Sequence, residues 1–232
     1  MDYSAENMHA VVSAGGNFKF PKAATIHNFV LQIPTPVLAA MIVYAEDNEE
    51  QCESFLQDFI SHLPRVKMNT VAWKTIIQQM EQVPIHCAAY GGQRSINVTD
   101  MSAKITDIAI GAIGRMPKEV NFGWSMKTPV GRQNNASHTF GGPDSHILIN
   151  FSDMVSEEHS LSAAKGWNDE LYEDLRGCGD AAILEGSYPA LTRPDDRSAE
   201  QLYGDKWLRV KELKHKYDPE GMFKHASPAI IL

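Results

Sequence analysis

Leu202-Tyr203-Gly204-Asp205-Lys206-Trp207-Leu208-Arg209-Val210-Lys211-Glu212-Leu213-Lys214, running into Lys216-Tyr217-Asp218-Pro219, is the stretch on which the fold reading turns. Tyr203, Trp207, Val210, Lys214 and Tyr217 recur at helical spacing, so one face of an amphipathic helix can pack on a sheet. Ser198 and Gln201 stand at capping-box spacing before it, and Asp218-Pro219 with Gly221 stop it. A Tyr and Trp stripe of this kind builds core rather than chemistry. Two other segments belong with it: the glycine turn Ala14-Gly15-Gly16-Asn17-Phe18, entering the strand-like Thr25-Ile26-His27-Asn28-Phe29-Val30-Leu31-Gln32-Ile33, and His138-Thr139-Phe140.

Taken in order, the glycine turn, the His138 segment and the C-terminal run resemble the berberine bridge enzyme-like FAD-linked oxidases, in the part of those proteins that forms the substrate domain. The resemblance implies an α+β fold, an antiparallel β-sheet with helices packed on one face and an open face lying over the flavin. It implies one domain over 1–232, with 1–23 an N-terminal arm that includes the glycine turn and 24–232 the substrate-type domain. In full-length oxidases the rest of the FAD cradle lies upstream of that turn, and nothing of it fits before Gly15. Lys19 stands where the family has a further glycine, which places a long cation where backbone comes close. Gly186-Ser187-Tyr188-Pro189-Ala190 keeps the Gly and Tyr of a family strand but has Ala190 in place of the Asn that lies against the flavin. Together these departures lead to the expectation of a chain that holds no flavin or other cofactor and no metal.

Composition bounds the rest. A chain of 232 residues, 43% hydrophobic, can bury a proper core. The net charge of −8 argues against a nucleic-acid surface. Cys52, Cys87 and Cys178 are odd in number and far apart, which suggests neither a disulfide framework nor a zinc cluster, and Cys52 falls on an apolar helix face. Met1-Asp2-Tyr3-Ser4-Ala5-Glu6 has no basic start or apolar run, and no stretch reaches membrane-spanning length, so a cytoplasmic protein away from membranes is expected. Asn97, Asn135 and Asn150 open glycosylation sequons by pattern.

Strands and helices alternate along the chain. Asp47 and Glu50 offer a capping box for a helix striped by Cys52, Phe55, Leu56, Phe59, Ile60 and Leu63. Helices are expected at 70–83, 99–113 and 163–175, and strands at 85–90, 120–126, 145–151 and 181–188.

Candidate chemistry gathers on the strand 145–151. His146, Leu148 and Asn150 alternate with Ile147, Ile149 and Phe151, so a His and an Asn share a face. His146 is a candidate acid or base, or else an ordinary strand histidine. Glu185 can deliver a proton if burial keeps it protonated, and is an ordinary surface carboxylate if exposed. Tyr188 matches the family tyrosine and is the leading catalytic candidate; its plainer role is to tie down a loop. Trp124, His138, Phe140 and Asn150 are the candidate substrate-binding residues, Trp124 by stacking unless it is core. With the flavin region missing, an apolar sheet face would lie uncovered, and a patch above roughly 400–600 Å² calls for a partner. A homodimer through that face is expected, with a hydrophobic small molecule as substrate. The functional expectation is a flavin-independent cyclase, isomerase or epimerase of specialised metabolism. The alternatives are a non-catalytic binding or assembly module and a portion of an FAD-linked oxidoreductase.

Overall fold

The computed structural model describes residues 7, 9–11, 21, 24–33, 35–44, 47–63, 90–120, 122–131, 145–185, 188–193, 196–223 and 230. Five strands form one antiparallel sheet: β1 (Ala24–Ile33), β2 (Thr35–Tyr44), β3 (Gln93–Val98), β4 (Phe122–Gly131) and β5 (Ser145–Ser152). Their spatial order is β2-β1-β4-β5-β3. The expected α+β architecture is present.

Strand β2 was not anticipated. It completes a hairpin with β1, pairing Ile33 with Thr35 and Ala24 with Tyr44. Pro36 has no N–H to give a second neighbour, which suits the edge position β2 occupies.

Residues directly opposite on antiparallel strands share a face, so the register sorts the side chains into two sets. Val30 faces Trp124, Trp124 faces Phe151, Met126 faces Ile149, and Ile149 faces Ile96. This set is buried against two helices, α2 (Ala103–Gly114) through Ile105, Ala109, Ala112 and Ile113, and α3 (Leu161–Gly177) through Ala164, Trp167, Leu171 and Leu175. A third helix, α1 (Glu49–Ser61), lays Phe59 on Ile26 of the same face. Each fully buried side chain of this size is worth roughly 1.5–3 kcal/mol, so this one layer holds the domain together.

Several local expectations shift. Helix α1 is capped by Asn48, whose side chain accepts from Gln51 N at 3.0 Å, not by the Asp47 and Glu50 box; Cys52, expected in the core, is only half-buried. Helix α2 starts at Ala103 because Ser102 Oγ accepts from Ile105 N at 3.2 Å and ends the preceding loop there. Of the strand expected at 181–188, residues 181–185 form a turn. Asp180 accepts from Ala182 N at 2.9 Å and from Ser102 Oγ at 2.6 Å, and only Ile183 makes a bridge, to Val98. The segments 70–83 and 85–89 lie outside the described residues.

At the C-terminus the Ser198 and Gln201 capping box forms in both directions. Helix α4 (Ala199–Tyr203) stops at Gly204, whose φ of +52° is a conformation glycine tolerates, and α5 (Trp207–Tyr217) follows after a short 3-10 turn. The break disturbs the helical stripe. Tyr203 stacks on Trp207 with ring centroids 6.3 Å apart and Val210 is buried, but Tyr217 points to solvent. Among the described residues, helix α5 makes its main packing on α4 and the turn before it. No helix among the described residues is long and apolar enough to cross a membrane.

Candidate functional site

The face of the sheet turned away from the helices carries small polar groups. Ser95 on β3 faces Asn150 on β5, Asn150 faces Ser125 on β4, and Ser125 faces Phe29 on β1. In the next row Asn97 faces Leu148. Neighbouring strands lie about 4.8 Å apart, so Ser95, Asn150 and Ser125 make a row roughly 10 Å long.

All four polar residues are buried. Ser95 Oγ, Asn97 Oδ1 and Asn150 Oδ1 have no hydrogen-bond partner among the described residues. A buried unsatisfied polar atom costs about 1–3 kcal/mol, and among the described residues such atoms occur on both sides of the sheet, since Asn28, Trp124 and Asn168 on the helix side also have them. Beside these small polar side chains, which are poor strand formers, the same face carries Phe29 and Leu148, both half-buried.

The predicted site residues are not gathered in one place. His146, Leu148 and Asn150 share the open face as expected, with His146 half-buried opposite Val130. Trp124 lies on the opposite face, fully buried in the core beneath α2 and α3. Glu185 and Tyr188 are exposed and lie in the segment beyond the edge strand β3, since Ile183 bridges Val98 on the side away from β5. Two strand spacings, about 10 Å, separate that segment from β5. Tyr188 opens a 3-10 turn, Pro189–Leu191, in which Ala190 is exposed. His138 and Phe140 lie outside the described residues.

Ser95, Asn97 and Ser125 were missed. A signal existed, because Gln93-Arg94-Ser95-Ile96-Asn97-Val98 alternates polar and apolar along the strand. The sequons at Asn97 and Asn150 fall on buried strand positions, and glycosylation needs an exposed loop, so both are ruled out as acceptors. Asn135 lies outside the described residues.

An ionic clasp holds the segment after Tyr188 onto the helix side of β3. Arg94 makes a two-pronged contact with Asp196, Nε to Oδ2 at 2.9 Å and Nη2 to Oδ1 at 2.6 Å, and reaches Asp169 on α3 at 2.7 Å. Arg193 also donates to Asp169, at 2.6 Å, and pairs with Asp153. Asp153 in turn accepts from Gly92 N at 2.5 Å. Gly91 makes this possible: its φ is +118°, and a Cβ there would sit 2.5 Å from the Asp153 carbonyl oxygen. The Arg94 guanidinium lies 4.4 Å above the Tyr172 ring. Burial raises the Tyr172 phenol above its ordinary value, and burial followed by the neighbouring Arg176 charge lowers Arg197.

No protein-family model matches the chain. Over 133 residues, 56% of the chain, it is 26% identical to the FAD-linked oxidoreductase aurO of Gibberella zeae, of which it covers 26%. The carbohydrate oxidase from Microdochium nivale, solved with a substrate analogue, is similar with a TM-score of 0.72 over 97% of this chain and 51% of its own, at 15% identity. The 6-hydroxy-D-nicotine oxidase from Arthrobacter nicotinovorans gives 0.71 over 98% of this chain and 51% of its own, also at 15% identity. The chain therefore spans about half the length of these solved relatives and about a quarter of the curated one. In three sequence segments, in a partial match to one curated FAD-linked oxidoreductase and in fold, the chain resembles part of the berberine bridge enzyme-like FAD-linked oxidases.

Proposed function

We infer that this chain forms the substrate-side wall of an FAD-linked oxidoreductase acting on a small organic molecule. The observation that carries this reading is the row Ser95, Asn150 and Ser125 with Asn97 beside it, buried and short of partners on the sheet face that the family turns toward flavin and substrate. The described residues fit such a group as an opposing wall. They do not fit as its holder, because Ala190 sits in an exposed turn where the family places an asparagine against the ring. When bound, FAD supplies the acceptor for the hydride taken from the substrate.

This chain's own groups bind and orient. The carbonyl oxygens of Asn97 and Asn150 accept hydrogen bonds from substrate hydroxyl or amide groups, and the Ser95 and Ser125 hydroxyls donate or accept. Phe29 and Leu148, half-buried beside the row, offer flat and branched apolar surface to a carbon skeleton. His146, on the same face, is placed to take a proton from a substrate hydroxyl near the Val130 end of the row. The substrate is thus an apolar skeleton bearing several hydroxyl or amide groups, and a ligand rather than a second copy of the chain occupies this face.

A second reading is favoured by Ala190 alone: a cofactor-independent cyclase or isomerase that keeps the pocket without the flavin contact. Product mass separates the two. Oxidation removes two hydrogens from the substrate and reduces oxygen to peroxide, and it requires the flavin-holding part. Cyclisation or isomerisation leaves the mass unchanged and proceeds with this chain alone, which would overturn the first reading.

A further inference from the structure

Arg197 is a cation taken out of water without a counterion. Only 9% of the residue is exposed, its Nε is sealed from solvent with no hydrogen-bond partner, and no ion pair to its guanidinium occurs among the described residues. Arginine is rarely buried unless paired, and an unpaired buried charge is strongly destabilising. The nearby acids are committed elsewhere. Both carboxylate oxygens of Asp196 are taken by Arg94, and Arg94 and Arg193 share Asp169. Glu185, the remaining acid near Arg197, is exposed in the turn beyond β3.

The surroundings put a second cation beside it. Tyr172 Oη donates to the Asp196 carbonyl at 3.4 Å, which seats Arg197 against the C-terminal half of α3. Arg176 follows Tyr172 by one helical turn and donates from Nη1 to the Leu184 carbonyl at 3.3 Å, while Leu184 N donates to the Asn97 carbonyl on the edge strand. Burial, and after it repulsion from Arg176, pulls the Arg197 guanidinium below its ordinary value, and attraction to Tyr172, Glu185 and Asp196 does not offset the two. Guanidinium forks match the oxygens of carboxylates and phosphates, often with two parallel bonds. We propose that Arg197 and Arg176 form a binding site for a small oxyanion, a carboxylate or phosphate group, between the end of α3 and the turn after Asp180. The site lies on the α3 side of the sheet, away from the row Ser95, Asn150 and Ser125, so it stands or falls apart from the substrate wall inferred above.

The probes are sodium phosphate and sodium acetate near neutral pH, each against sodium chloride of equal ionic strength, with the melting temperature of the chain as readout. A concentration tenfold above Kd should raise it by roughly 3–6 °C. Phosphate also stabilises folded proteins by exclusion from their surface, so the quantity read is the rise in the parent less the rise in Arg197→Met. In chloride that variant should melt at or above the parent, because it removes an unpartnered buried charge. Arg176→Met should shrink the rise, and Glu185→Gln, which removes a competing carboxylate, should enlarge it. A rise in acetate as well as phosphate assigns the site to either group, and a rise in phosphate alone assigns it to phosphate.

Equal rises in the parent and Arg197→Met reduce the effect to surface exclusion or an adventitious ion only, and overturn the site. Melting of Arg197→Met or Glu185→Gln well below the parent in chloride also overturns it, since Arg197 would then already have its partner within the chain. An undiminished rise in Arg176→Met overturns the pairing of the two arginines.

Discussion

Replacing Asn150 with Leu separates a ligand-binding residue from a structural one, because the two roles predict opposite signs. Asn150 is buried on the sheet face away from α2 and α3, and its Oδ1 has no partner among the described residues, which makes it costly among them. An unsatisfied buried acceptor costs about 1–3 kcal/mol, and Asn150→Leu removes it at nearly constant volume at a strand position that favours the change. For a chain of this length each kcal/mol moves the melting temperature by about 2–4 °C, so the variant should melt roughly 2–12 °C higher. Ligand affinity should move the other way: one lost hydrogen bond is worth about 0.5–1.5 kcal/mol, or up to about tenfold in Kd. Differential scanning fluorimetry with and without substrate reads both quantities in one experiment, and the substrate-induced rise in melting temperature should shrink as the baseline climbs. A variant that melts below the parent would refute the reasoning, because it would mean that Oδ1 is already satisfied and structural.

Asp196→Ala should have the reverse sign. It strips the half-buried Arg94 of its two-pronged partner but leaves Asp169 beside it, so the loss should stay below the roughly 3–5 kcal/mol of a fully broken buried pair, visible as a lowered urea midpoint with an unchanged slope. His146→Ala should lower turnover by roughly 10²–10⁴-fold if His146 handles the substrate proton, whereas Tyr188→Phe and Glu185→Gln, both exposed beyond β3, should keep full turnover in steady-state assays. Hydrogen bonding from Lys214, then from the Phe223 and Met222 amides, holds the Asp218 carboxyl below the usual carboxylate range. Its contribution to stability is therefore complete above the unfolded Asp value of about 3.9 and is lost as pH falls through the lower folded value. The protection factors of the Met222 and Phe223 amides, taken relative to intrinsic exchange at each pH, should fall only in that acid window.

The sequence carried the sheet-forming strands β1, β4 and β5 because their β-branched and aromatic residues alternate cleanly, and it carried α3 because Ala164, Trp167, Leu171 and Leu175 fall on one helical face. It did not carry β2, whose apolar run from Val37 to Tyr44 has no polar alternation and whose Pro36 makes sense only at a sheet edge. The C-terminal stripe misled for a local reason: Gly204 divides the helix, so residues in phase by counting are out of phase in space. Of the site, His146 and Asn150 were legible from strand alternation, but the row they belong to was not. Ser95, Asn150 and Ser125 come together through the pairing of three strands, and register between strands distant in sequence is not written in any one of them. Trp124 is the complementary case: of the two roles its chemistry allowed, stacking on a substrate or core, its pairing with Phe151 puts it in the core on the covered face.

The central claim is that this chain supplies the substrate-side wall over a flavin. Its most direct test is anaerobic titration of an FAD-loaded flavin-holding partner with substrate while the flavin absorbance band is followed, in the presence and absence of this chain. The account predicts bleaching of the band only when the chain is present, and weaker substrate dependence with the Asn150→Leu variant. Conversion of the same substrate by the chain alone, with no flavin in the cell and a product of unchanged mass, would contradict it.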